Sequence, residues 1–187
     1  MKTIILSSVL LLFGFQGYPV IAAEKKSSTK PRFENDQLIV RLLARSPDQI
    51  AAFYEARGFP SDMIKALKKE CFITVGIKNK SSDILWLDLS HWSFSSHGKP
   101  VKRFHRNEWK HTWQSMNVPM PSQSTFRWTL LPELLDFRPD EREGGNIILE
   151  RTGKPFNLTA YFMNGHRTQG KKISVEIDNI KCAEDKQ

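Results

Sequence analysis

Cysteine is nearly missing from this 187-residue chain: Cys71 and Cys182 are the only two. That is too few for an all-cysteine zinc site or a disulfide-dense miniature scaffold. Apolar runs long enough to cross a bilayer are missing as well. The longest, Ile4 to Phe15, has twelve residues, well short of the roughly 20 that span a membrane as a helix. Acid is the minority charge, with Asp and Glu at 20 against Lys and Arg at 28, a net +8. No G-x-S-x-G nucleophile elbow, glycine-rich phosphate loop, H-x-H pair or H-x-x-x-H pair occurs, which removes the best-defined hydrolase, nucleotide and metal signatures. Two S-x-x-K matches, Ser27–Lys30 and Ser96–Lys99, lack the accompanying S-D-N and K-T-G.

What is present is a globular composition: 40% hydrophobic, 26% charged, with a mean hydropathy of −0.43. The start of the chain reads as an address. Lys2 precedes the apolar run, Pro19 breaks it, and Ala22-Ala23 offer small residues for cleavage, the order of a secretory signal peptide. Removal of residues 1–23 would leave about 164 residues, one domain able to bury roughly 70% of its unfolded surface. Export makes an oxidised pair the expected state of Cys71 and Cys182. The bridge would close a loop of about 111 residues and clip the two ends of the domain together.

Residues 24–36 are charged and polar and read as a flexible leader. Residues 37–70 follow as an N-terminal arm and helical hairpin packed on the domain. Gln37 to Ala44 is an apolar strand or arm, and Ser46-Pro47-Asp48-Gln49 is a capping box with proline at the first helical position. It predicts a helix over 47–57 ended by Gly58. Ser61 is expected to cap a second helix with Met63, Ile64 and Leu67 on one face.

From Cys71 the apolar period changes from 3.6 to 2. Strands are predicted at Cys71 to Ile77, Ile84 to Phe94, Thr125 to Leu131, Asn146 to Glu150, Phe156 to Met163 and Lys171 to Ile180. A helix capped by Asn107 is predicted over 107–116, ended by Pro119 and Pro121. Pro132 to Gly145 reads as a long acidic loop. Turn-separated strands without alternating helices imply a mainly β fold. The expected architecture is an antiparallel immunoglobulin-like β-sandwich over residues 71–182, with the N-terminal helical hairpin, a helical insertion, and a tail at 183–187. The likeness is of shape only, because the Cys-Trp-Cys spacing of antibody domains is missing.

Three constellations could carry function. The insertion interleaves Lys102, Arg103, Arg106 and Lys110 with Trp109 and Trp113, a basic-aromatic pattern suited to an anionic partner. For an exported chain that partner would be an envelope protein or an anionic envelope component rather than nucleic acid. The bland alternative is that the tryptophans pack the helix onto the sheet. His105, His111, Met116 and Met120 offer imidazole and thioether ligands of the kind copper takes, although His105 and His111, six apart, would not share a helix face. Glu133 and Asp136 lead an acidic segment that a carboxylate-pair hydrolase could use if the distance in space allowed. Asn79-Lys80-Ser81 and Asn157-Leu158-Thr159 match the glycan-acceptor pattern. The balance points to a non-enzymatic, periplasmic or secreted protein-interaction module without a cofactor, an accessory or subunit of an envelope assembly. A periplasmic copper-binding protein and a carboxylate-based hydrolase are the alternatives.

Overall fold

A computed structural model describes residues 30–185; the expected signal peptide, most of the leader and the last two residues lie outside the described part. The chain order is β1 (Arg32–Glu34), β2 (Leu38–Arg45), α1 (Pro47–Glu55), α2 (Ser61–Lys68), β3 (Cys71–Asn79), β4 (Leu85–Asp88), a 3-10 turn (Leu89–His91), β5 (Ser93–Ser96) and β6 (Lys99–Pro100). It continues with α3 (Arg106–Ser115), α4 (Met120–Thr129), β7 (Leu134–Phe137), β8 (Arg142–Leu149), β9 (Phe156–Asn164) and β10 (Lys171–Ile180). Among the described residues the fold is mainly β, with two antiparallel sheets and four helices.

The first sheet has the order β1-β2-β3-β8, and the second β6-β5-β9-β4-β7 with β10 also paired to β9. β4 and β5 lie end to end along one edge of β9, and β10 takes the other. Period-two alternation decides which side chains meet. Val40, Ile73, Val75 and Ile147 of the first sheet share one core with Leu87, Leu158, Phe162 and Val175 of the second. On β3 and β8 the alternate positions turn the other way. There Phe72 and Ile148, paired across the strands, join Tyr54, Leu67, Trp113 and Phe126 in a second core. The helices and the second sheet therefore cover opposite faces of the first sheet.

The disulfide forms as expected. Cys71 opens β3 in the first sheet, Cys182 follows β10 in the second, and their Cα atoms are 5.4 Å apart. It joins the two sheets covalently. Among the described residues no helix is long and apolar enough to cross a membrane.

The structure corrects several local expectations. Residues 32–34, assigned to the leader, form a strand on β2, and Phe33 packs against the core. The apolar segment after it is a full strand paired along β3. Ser61 is the first residue of α2 rather than its cap, and Pro60 precedes it without a side-chain cap bond. The predicted strand at 125–131 is instead the second half of α4 and the residues that leave it. Pro119 and Pro121 begin this helix rather than close the previous one, because proline suits the first turn, where no N–H partner is needed. The acidic segment 132–145 is not one loop: it contains β7 and the start of β8, joined by a tight turn in which Arg138 N–H donates to the Glu141 carboxylate (2.7 Å) and Asp140 takes a left-handed φ of 63°.

Gly145 fixes how the helical insertion returns to the sheet. A Cβ there would lie 2.5 Å from the Leu131 nitrogen. The bare backbone lets Leu131 N–H donate to Asn146 O at 2.9 Å, clamping the end of α4 onto β8.

Candidate functional site

The insertion is built from the edge of β8 outward. Phe104 N–H donates to Ile148 O (2.9 Å) and Glu150 N–H to Lys102 O (2.9 Å), so residues 102–104 run along that edge. His105 then caps α3: its Nδ1 accepts the Asn107 N–H at 3.1 Å, and the Glu108 carboxylate accepts the His105 N–H at 2.8 Å. The cap is thus His105 rather than Asn107. From that start α3 turns Trp109 and Trp113 inward. Their rings stack at 4.9 Å, and Phe126 of α4 meets Trp113 edge-on at 5.2 Å.

The six basic and aromatic residues singled out in the sequence do not form one surface. Trp109 and Trp113 are 5% and 1% exposed and belong to the core. Arg103 is locked by two hydrogen bonds to Glu133, at 3.0 and 2.8 Å. Lys102 pairs with Glu108 at 2.6 Å and lies over the Phe104 ring; its hydrogen bond holds the Glu108 carboxyl below the usual carboxylate range. Arg106 spends its backbone N–H on Glu133 (3.2 Å) and one guanidinium nitrogen on Arg127 O (2.6 Å). Burial, and then the neighbouring Arg127, push Arg106 below its ordinary value. Lys110 is exposed.

In the other two constellations the residues take up separate local roles. His105 Nδ1 is committed as the cap acceptor, and its Nε2 lies 3.6 Å from Glu133. His111 is exposed, Met116 closes α3 and Met120 opens α4. Among the described residues no three His, Cys, Asp or Glu are grouped to hold a metal. Glu133 is held by Arg103, whereas Asp136 is an exposed residue of β7 opposite Trp86. Of the two glycan-acceptor asparagines, Asn157 is exposed. Asn79 is fully buried, with its amide donating to Asp83 O and Phe137 O at 2.8 and 3.0 Å.

Two hollows flank α4. On one side a cleft of about 180 Å³ opens against α3, between Arg106, Lys110 and Trp113 and, from α4, Met120, Phe126 and Arg127. On the other side a groove of about 770 Å³ runs toward α1, walled by Phe53 and Trp128 and floored by Thr74, Asn146 and the bare backbone of Gly144-Gly145. A polar row crosses this floor. Arg45 Nε donates to Thr74 Oγ1 (2.9 Å), which donates to Asn146 Oδ1 (2.8 Å), and Tyr54 shares a 2.7 Å bond with Thr129.

Trp128, on the wall of the larger groove, is 86% exposed, with Met120 at 67% on the same helix. Sequence reasoning missed Trp128, Arg127 and the groove because it placed a strand here. Read as a helix with Phe126 inward, the segment would have turned Trp128, two residues or about 200° further round, to solvent.

No family model matches this chain, and no curated protein matches it at a significant level. A solved structure from Bacillus subtilis, named as the lipoprotein YcdA, aligns with 81% of this chain at 14% identity and a TM-score of 0.45. The chain spans about 39% of the length of that structure.

Proposed function

We propose that this chain is an exported, non-enzymatic interaction module, an accessory or subunit of a cell-envelope assembly, and that its helical layer meets an acidic protein or another anionic envelope component. The observation that carries the reading is Trp128, a large aromatic left 86% exposed. Buried aromatics anchor interfaces, and an exposed one on an ordered helix is the group a partner would bury. The charge around it fits. Arg127 and Lys110 on the helical layer make no ion pair among the described residues, so the face presents uncompensated positive charge.

The remaining readings support export. Residues 1–23 are taken as a signal peptide cleaved on the way to the periplasm or the medium, 37–70 as an arm and hairpin, 71–182 as the main domain and 183–187 as a tail. A disulfide that joins the two sheets suits an oxidising compartment. We read the sheets, with their shared core, as a β-sandwich of immunoglobulin-like shape.

The test is cross-linking in the envelope, comparing the natural chain with Trp128→Ala and with Lys110→Glu combined with Arg127→Glu. Both variants leave Arg103 and Lys102 in their ion pairs and should keep the melting temperature. Loss of the cross-linked partner in both is the expected result. Unchanged recovery in both would overturn the reading.

A further inference from the structure

The outer strand of a β-sheet carries a row of unpaired backbone N–H and C=O groups and is open to further pairing unless it is short or covered. On the first sheet, β1 has three residues, and the edge of β8 is covered by residues 102–104 and by Leu131. On the second sheet, the side formed by β6 and β7 offers strands of two and four residues. β10 differs from all of these. It runs for ten residues without a proline, and among the described residues it pairs with β9 alone. A groove of about 1170 Å³ lies between β1 and residues 176–179, so the neighbouring layer leaves that half of the edge uncovered.

The exposed face of this strand is polarised along its length. Alternation puts Ile173, Val175 and Ile177 in the core and leaves Lys172, Ser174, Glu176 and Asp178 exposed. Positive charge comes first and negative charge last. Lys172 lies over the Tyr161 ring at 4.0 Å, and among the described residues Lys172, Glu176 and Asp178 make no ion pair. Antiparallel pairing with a second copy reverses the order of charge. With Val175 opposite its own counterpart, Lys172 stands across from Asp178 and Ser174 from Glu176, in both halves of the ladder by symmetry. Ile173 then faces Ile177, so the apolar side continues from one copy to the next. Opposite charges directly across a ladder favour pairing, and a two-fold contact requires this kind of self-complementarity. A strand charged alike from end to end would repel its copy.

We propose that β10 is the surface through which two copies of this chain associate, their second sheets joining into one antiparallel sheet about a two-fold axis centred on Val175. The outer backbone groups of β10 supply the hydrogen bonds, and the two Lys172–Asp178 pairs hold the register. This goes beyond the partner-docking reading, which rests on the exposed Trp128. The helical layer lies on the far side of the first sheet from β10, so each can fail without the other.

The experiment is analytical sedimentation of the purified disulfide-bonded protein from roughly 1 µM to roughly 1 mM. It compares the natural chain, Lys172→Glu, Asp178→Lys, an equimolar mixture of these two variants, and the chain carrying both substitutions. The natural chain should pass from monomer to dimer mass as concentration rises. Each single substitution sets like charges opposite each other at two places and should weaken the dimer about tenfold. The mixture and the double variant restore opposite charges across the ladder and should recover the dimer. Both positions are exposed, so melting temperatures at the lowest concentration should match that of the natural chain. A natural chain that stays monomeric throughout, a dimer indifferent to both single substitutions, or single-variant losses that neither the mixture nor the double variant repairs would each overturn the proposal.

Discussion

Arg103 and Glu133 meet at two points, with both terminal guanidinium nitrogens on the two carboxylate oxygens at 3.0 and 2.8 Å, the side chains being 15% and 21% exposed. The pair spans the whole insertion, since one residue precedes α3 and the other follows α4. It also takes out of circulation one residue from each of two functional readings, the basic surface and the acid pair. A two-point guanidinium–carboxylate contact is geometrically demanding and mostly shielded from water, so its role is to close the helical insertion onto the sheet.

Breaking the pair on one side should therefore cost stability. Arg103→Met leaves a largely buried carboxylate without its main partner, and urea unfolding should show a loss of roughly 2 to 3 kcal/mol. Combining it with Glu133→Gln removes the stranded charge. The double variant should then be more stable than the sum of the single effects by about 1 kcal/mol. Additive single effects would mean that the contact contributes little.

Strands β3, β9 and β10 were legible because their burial follows period two, whereas β7 and the start of β8 were read as loop; the disulfide followed from expected export and an even count of cysteines. The helical insertion was legible only in part. In α3 the apolar spacing of Trp109 and Trp113 shows a helix, but the same tryptophans in a basic context suggest a binding surface, and only packing decides between the two. In α4 the segment Thr125 to Leu131 is rich in β-branched and aromatic residues, and local preference argued for a strand. Burial of Phe126 in the second core and the prolines at the helix start overrode that preference. The groove floor, where Gly144 and Gly145 lie beside Asn146 and Thr74, depends on the register between β3 and β8. No local pattern contains that register.

Asn79 makes a second testable point. It is fully buried; its amide donates to Asp83 O and Phe137 O, and its side-chain oxygen accepts from Ser81 N–H and hydroxyl, both at 2.8 Å. It ties the end of β3 to the end of β7 across the two sheets. Asn79→Ala should destabilise by about 2 to 3 kcal/mol, since it strands buried backbone carbonyls. Asn79→Asp should be worse, because a carboxylate would face those carbonyls without a donor. Equal stability of the Asp and Ala variants in urea would show that the donors are dispensable. A glycan on the same nitrogen is incompatible with this packing, whatever the acceptor pattern suggests.

The bond between Cys71 and Cys182, 111 residues apart in sequence, should account for a large part of the stability. Restricting so long a loop in the unfolded chain corresponds to about 4 to 5 kcal/mol on chain-entropy grounds. Cys71→Ala with Cys182→Ala should lower the unfolding free energy, read from denaturant titration, by that amount, and reduction of the natural protein should reproduce the loss. A small shift in both would mean that the sheets are held by the shared core alone.

Tyr54 sets the alkaline limit. Its ring is fully buried beneath the helices, and burial pushes its pKa from the ordinary 10.0 up to about 12, against a smaller opposing effect of the Thr129 hydrogen bond. The folded state thus favours the protonated phenol. The stability it contributes is complete below pH 10 and is lost as the pH rises toward about 12. The total is of order 2 to 3 kcal/mol for such a shift. Phenolate absorbance should show an increment that develops only near the upper end of that range and that Tyr54→Phe removes. The Phe variant should lose about 1 kcal/mol at neutral pH, from the missing bond to Thr129, yet fall less steeply in alkali than the natural chain. Parallel alkaline unfolding of the two proteins would remove Tyr54 as the titrating group.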